Sequence, residues 1–200
     1  MSVHVGKAAP DFYASAVMGN NEINEHFNLK EHLNGKYGVI FFYPLDFTYV
    51  CPSELIAFDH RLGEFKKRNA EVIGISIDSA YTHLAWKNTP VEKGGIGKVG
   101  YPLVADIKHE ICKDYDVEAG DGTAYRGSFL LDRDGIVRHQ VVNDMSLGRN
   151  IDEMLRMIDA LQFTEEHGEV CPAGWSKGKA GMVESAEGVA GYLAKHAREL

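Results

Sequence analysis

A chain of 200 residues with 44% hydrophobic content is long and apolar enough for one core-forming domain, or for one domain with an extended arm. Its net charge of −8 comes from 29 acidic against 21 basic residues with no lysine or arginine stripe; this argues against a nucleic-acid partner and mainly serves solubility. No window approaches the roughly 20 apolar residues of a membrane span, and residues 1–7 lack the apolar core of a signal peptide, so no membrane is expected as a partner and the cytoplasm is the expected location.

Taken in order, residues 1–37 mix short apolar pieces with the turn-formers Gly19-Asn20-Asn21, which predicts a short hairpin after an extended start at Ala9-Pro10-Asp11-Phe12. Val39-Ile40-Phe41-Phe42-Tyr43 is apolar, aromatic and β-branched, the signature of a strand buried on both faces, and Pro44 ends it. Leu55, Phe58, Leu62 and Phe65 then recur at helical spacing and predict a helix over 51–68. Residues 71–78 read as a second buried strand, and Ser79 is placed to cap a helix that Thr89-Pro90 breaks. A short strand at 101–106 and a short helix at 109–115 follow. Residues 126–131 and 136–142 flank Asp132-Arg133-Asp134-Gly135, a turn signal that predicts an antiparallel hairpin. Residues 150–163 are amphipathic through Ile151, Met154, Leu155, Ile158 and Leu161. This order is that of an α/β, thioredoxin-like sandwich: a central mixed β-sheet flanked by helices. Residues 1–164 are expected to form that domain. From 165 to 200 the composition turns polar and glycine-rich around a helical piece at 189–198, which predicts a C-terminal arm.

Cysteines at 51, 112 and 171 make no C-x-x-C pair and no metal-ligand spacing, so no zinc site is expected. An odd, widely spaced set suits catalysis in a reducing compartment better than a stabilising framework. Cys51 is the one in a reactive position, because Pro52 is tolerated only in a first helical turn and therefore places Cys51 at a helix N-terminus. Unpaired N–H groups there favour a thiolate. A helix end alone contributes roughly 0.3–1 kcal/mol, too little to ionise an ordinary thiol at neutral pH, so a cation must assist. Arg126, opening a second apolar strand, is the candidate. Thr48 is a loop threonine that could cap or turn. Cys112 reads as a buried helix residue, and His83 and Trp86 as packing residues.

The run Pro44-x-x-x-Thr48-x-x-Cys51, followed by Pro52 and Glu54, resembles the active-site signature of the peroxiredoxins. The segment Glu169-Val170-Cys171-Pro172-Ala173-Gly174-Trp175 is similar to the resolving-cysteine segment of the typical two-cysteine branch, which includes the peroxide-reducing component of bacterial alkyl hydroperoxide reductase. The resemblance spans nearly the whole chain. It implies a peroxidase without cofactor or metal in which Cys51 attacks hydrogen peroxide or an organic hydroperoxide and becomes a sulfenic acid. By the same resemblance Cys171 of a second chain condenses with it, and thioredoxin or a similar dithiol reductant resets the enzyme. Thr48 would bond the peroxide oxygens, Arg126 would hold the thiolate, Pro44 would shield the site, and Glu54 and Arg149 would support Arg126. A homodimer, and a decamer of five dimers, are implied as well. Gly94-Gly95-Ile96-Gly97 resembles the loop of peroxiredoxins that over-oxidise easily, while the tail has Tyr192 without the phenylalanine that accompanies it there. A thiol–disulfide oxidoreductase on the same fold is disfavoured, since Cys51-Pro52-Ser53-Glu54 has glutamate where a second thiol would stand. Holdase chaperone activity, a second activity of the family, stays open as an addition.

Overall fold

The computed structural model describes residues 2–198 and 200; Met1 and Glu199, in the stretches read above as a start without a signal core and as an arm, lie outside the described residues. The chain divides into two compact units, Met1–Ile151 and Asp152–Leu200.

The first unit is built on a sheet of seven strands among the described residues, in the order β2-β1-β5-β4-β3-β6-β7. At its centre β3 (Tyr37–Phe42) runs parallel to β4 (Ala70–Ser76) and antiparallel to β6 (Arg126–Leu131), and all six of its residues are buried. The predicted hairpins are present. β1 (Tyr13–Val17) pairs with β2 (Ile23–Asn28), and β6 pairs with β7 (Val137–Asn143). The first hairpin is not an appendage, because β1 also pairs antiparallel with β5 (Leu103–Ala105) and extends the main sheet.

Alternation along β3 sends Ile40 and Phe42 into one core with Ile73, Ile75, Tyr115 and Phe129, while Phe41 points to the opposite face. There its ring stacks on Phe58 of α2 (Cys51–His60), with centroids 4.2 Å apart. Gly74 makes room for this: it sits opposite Phe41 in register, and a Cβ on it would lie 2.9 Å from the Phe41 ring. The stack fixes α2 across the sheet with its N-terminus at the carboxyl end of β3.

The helix predicted over 51–68 is two helices, α2 and α3 (Leu62–Lys67). The Ala57 carbonyl, which would accept the Arg61 N–H in a continuous helix, lies 3.4 Å from the Arg61 guanidinium instead, and the Arg61 N–H turns to Phe58 O. The Tyr101 hydroxyl donates to Leu55 O (2.7 Å) and pins the middle of α2. Two further helices of this unit are α4 (Ala80–Asn88), capped by Ser79 as predicted, and α5 (Glu110–Asp114). A short helix that the sequence reading lacked, α1 (Leu29–Leu33), precedes β3 and is capped by Asn28. Cys112 on α5 is fully buried, and burial pushes its thiol far up, as an inert packing residue requires.

Lys87 on α4 is 1% exposed and donates to Met18 O at 2.7 Å. Burial pulls its ammonium down to about 8, with Asp59 opposing. Between that value and the usual 10.5 the unfolded chain holds a proton that the folded chain has released, so stability rises with pH through this window. In urea unfolding under reducing conditions the wild type should gain about 2 kcal/mol more than Lys87→Met from pH 8 to pH 10, a difference in which the opposite slope from the raised Cys112 thiol cancels. Equal pH slopes in the two proteins would refute the assignment.

In the second unit α6 (Ile151–His167) is followed by a bridge between Val170 and Met182 and by α7 (Ala186–His196). Trp175 is buried against Phe163, with ring centroids 4.8 Å apart. No helix of the described residues is long and apolar enough to cross a membrane.

Candidate active site

The loop from Pro44 to Val50 joins β3 to α2 and delivers Cys51 to the first turn of that helix, where Cys51 is fully buried. No side chain caps α2; the Ser53 and Glu54 N–H groups donate to Val50 O (3.1 and 3.4 Å), and no side-chain oxygen competes at this first turn. Two donors converge on the sulfur: the Thr48 hydroxyl at 3.0 Å and Arg126 Nη1 at 3.4 Å. The Thr48 hydroxyl also lies 2.7 Å from Leu45 O. Its single proton serves one acceptor at a time, which leaves a lone pair free to accept whenever the proton points to Leu45.

Arg126 is buried at the start of β6, and its guanidinium spans three acceptors. Besides the sulfur, Nη1 donates to Glu54 Oε2 (2.6 Å) and Nε to Met145 O (2.7 Å). Glu54, one turn beyond Cys51, accepts four bonds. Beyond that from Arg126, three come from Arg149, through its backbone N–H (3.0 Å), Nε (2.9 Å) and Nη2 (3.0 Å). Arg149 Nη1 donates to Phe42 O (2.7 Å) and Gly127 O (2.9 Å), clamping the segment after β7 onto β3 and β6, and its guanidinium lies 5.0 Å from the Phe41 ring centroid. Burial holds the Arg149 pKa below the usual arginine value although Glu54 works for the charge. Cys51, Thr48, Arg126, Glu54 and Arg149 thus form one connected cluster. Pro44 opens the loop, half-buried, and, lacking an N–H, donates no bond to it.

A second network lies beneath the same loop, and sequence reasoning missed it. Tyr43, Asp46 and His83 are all buried. The Tyr43 hydroxyl donates to Asp46 Oδ1 (2.8 Å), while His83 reaches Asp46 Oδ2 (2.8 Å) through Nδ1 and Val104 O (3.1 Å) through Nε2, which must carry a proton there. Burial pushes the Asp46 carboxyl up, against the pull of His83. The Asp46 backbone N–H donates to Asp78 Oδ2 (2.8 Å), which also accepts from the Ser76 hydroxyl (2.8 Å). Between Asp46 and Thr48, Phe47 has φ +54, a conformation that costs an L side chain roughly 1–2 kcal/mol. Its ring lies 5.8 Å from that of Trp86. His83 is therefore a hydrogen-bonded partner of the loop as well as a packed residue.

Cys171, in the second unit, is half-buried, and its thiol points at Ala160 O, 3.6 Å away. Burial raises its pKa and Arg156 opposes this. Arg156 also donates to Trp175 O (2.6 Å), which ties the turn after Cys171 to α6. None of the three cysteines is in a disulfide. Among the described residues no group of three or more His, Cys, Asp or Glu side chains could hold a metal ion.

Residues 5–140 match the AhpC/TSA family, and residues 160–195, which include Cys171, match the C-terminal domain of 1-Cys peroxiredoxin. Similar relatives include alkyl hydroperoxide reductase C of Helicobacter pylori strain J99, 59% identical over 98% of this chain and 99% of that one, and peroxiredoxin-1 of Gekko japonicus, 48% identical over 98% of each. Among solved structures, the reduced 2-Cys peroxiredoxin of Plasmodium vivax superposes with a TM-score of 0.93 at 52% identity, covering 96% of this chain and all of that one.

Proposed function

Because this chain belongs to the AhpC/TSA family of peroxiredoxins and is a peroxidase acting on hydroperoxides, we propose that Cys51 is its peroxide-attacking thiol and Cys171 the thiol that resolves the product. The observation that carries this is the Arg126 guanidinium set between Cys51 Sγ and Glu54, with the Thr48 hydroxyl on the same sulfur. Arg126, Arg149 and Glu54 together leave one positive charge in a buried cluster, and a Cys51 thiolate balances it.

In the proposed cycle the thiolate attacks the distal peroxide oxygen. The S–O bond forms as the O–O bond breaks, and the departing oxygen takes a proton to leave as water or alcohol. Thr48 is placed to accept from the peroxide O–H and to donate to the oxygen developing charge, alongside Arg126. Pro44 limits water at the mouth, while Glu54 and Arg149 hold Arg126. The Cys171 thiol then displaces the sulfenic oxygen as water, forming a disulfide with Cys51 of a partner chain. A dithiol reductant such as thioredoxin, or a disulfide reductase, takes up that disulfide by exchange. Residues 1–164 act as the peroxidase domain and 165–200 as the arm carrying the resolving thiol. The working unit is a homodimer, assembled as five dimers, and three unpaired cysteines suit the reducing cytoplasm.

A non-reducing gel after one equivalent of hydrogen peroxide tests the cycle. A dimer band in the wild type, lost in both Cys51→Ser and Cys171→Ser, is the expected result. A wild type that consumes peroxide yet stays monomeric on the gel would remove Cys171 from the resolving role.

A further inference from the structure

We propose that Asp78 is a positioning residue for the peroxide-reducing step: its carboxylate holds the Asp46 backbone N–H, and with it the turn that aims the Thr48 hydroxyl at Cys51. The inference rests on the reading of Cys51 and Thr48 given above.

The loop from Pro44 to Val50 does not relax into this shape unaided. Phe47, a bulky residue with a half-exposed ring, sits at φ +54 between Asp46 and Thr48. Such a conformation persists where its surroundings over-determine it. One attachment is the Asp46 side chain, bonded to Tyr43 and His83. A side-chain anchor alone leaves the Asp46 peptide plane free to turn about its backbone dihedrals. The bond from Asp46 N–H to Asp78 Oδ2 removes that freedom, two residues before the hydroxyl that lies 3.0 Å from the sulfur. Asp78 is itself held in place. Ser76 at the end of β4 donates its hydroxyl to the same carboxylate oxygen, and the Asp78 N–H donates to Ser76 Oγ (3.2 Å). The loop is therefore referenced to the rigid end of the central sheet. A negatively charged acceptor makes the stronger bond to a peptide N–H, which is the reason for a carboxylate here rather than a hydroxyl.

Positioning separates two reactions of the same sulfur. Peroxide reduction needs Thr48 at the correct distance, whereas alkylation by iodoacetamide needs only a reachable Cys51. In a Cys112→Ala, Cys171→Ser background both rates report on Cys51, the one cysteine that remains. Asp78→Ala should slow hydrogen peroxide reduction, followed by stopped flow, roughly ten- to a hundredfold. Alkylation should stay within about twofold of the parent. Asp78→Asn, whose amide oxygen still accepts the N–H, should recover much of the loss. Ser76→Ala, which keeps the acceptor and removes the group that orients it, should give a smaller fall of the same selective kind and decides the matter if Asp78→Ala does not fold. Peroxide rates at the parental level, or peroxide and alkylation rates falling together, overturn the proposal while leaving Cys51 in its role. Peroxide consumption that survives Cys51→Ser would instead overturn the reading of Cys51, and this proposal with it.

Discussion

Glu54→Ala should cost about 3–5 kcal/mol of folding stability and nearly all peroxide reduction. Arg126 and Arg149 are each about 4% exposed at the side chain and share this one carboxylate. Its removal leaves two guanidinium groups in a space that water does not fill, where an unpaired charge is far more costly than in solvent. Four donated hydrogen bonds lose their acceptor together. Arg149 also clamps the ends of β3 and β6, so the damage extends beyond the first turn of α2. Glu54→Gln retains one carbonyl oxygen and should fall between the two. Urea unfolding of the reduced proteins measures the loss, and a difference below about 1 kcal/mol for the alanine variant would show that the cluster is not held by its charges.

Arg126→Met should behave differently, with chemistry lost and the fold largely kept. Glu54 retains its three bonds from Arg149, so the cluster still has a paired carboxylate after the change. Methionine fills much of the space in an apolar manner. What disappears is the donor 3.4 Å from Cys51 Sγ and the cation beside the reacting oxygens. Loss of one preorganised donor to developing charge typically slows a reaction by about 10²–10³, and the rate constant for Cys51 oxidation should fall by that amount. Arg126→Lys should recover only part, because an ammonium cannot reach the sulfur, Glu54 and the Met145 carbonyl from one planar fork. A methionine variant within tenfold of wild type would mean that Thr48 and the helix N-terminus suffice.

The alternation of strands and helices was legible because β3 and β4 are near-continuous apolar runs and because Ser79 and Asp132-Arg133-Asp134-Gly135 carry local punctuation. The break at Arg61 was not, since Leu55, Phe58, Leu62 and Phe65 keep helical spacing straight across it. The interruption lies in backbone bonding, which side-chain periodicity does not record. The helix at Leu29–Leu33 did have a signal that was passed over, Asn28 followed by Glu31, whose backbone N–H the asparagine side chain caps. The joining of β1 to β5 has no local signal, because strand order is decided by pairings distant in sequence.

At the site, Cys51 was legible from Pro52 and the flanking strand and helix, and Arg126 from the need for a cation. Glu54 and Arg149 came only through resemblance, since a glutamate in a helix and an arginine in a loop are ordinary until the fold brings them together. The support under the loop had still less to reveal it. Tyr43 and Asp46, Ser76 and Asp78, and His83 belong to three separate segments, each of which reads as a strand end or a packed helix.

The bond from Tyr101 to Leu55 O also sets a tether length. If α2 stays pinned from Leu55 onward, the chain that can pay out with Cys51 is the single turn from Cys51 to Glu54. Four residues span about 6 Å as helix and about 13 Å drawn out, so the slack is about 7 Å. A second sulfur must approach to about 2 Å to bond. Any partner outside that radius has to bring its own slack, and the longer travel in disulfide formation then falls to the segment that carries the second thiol.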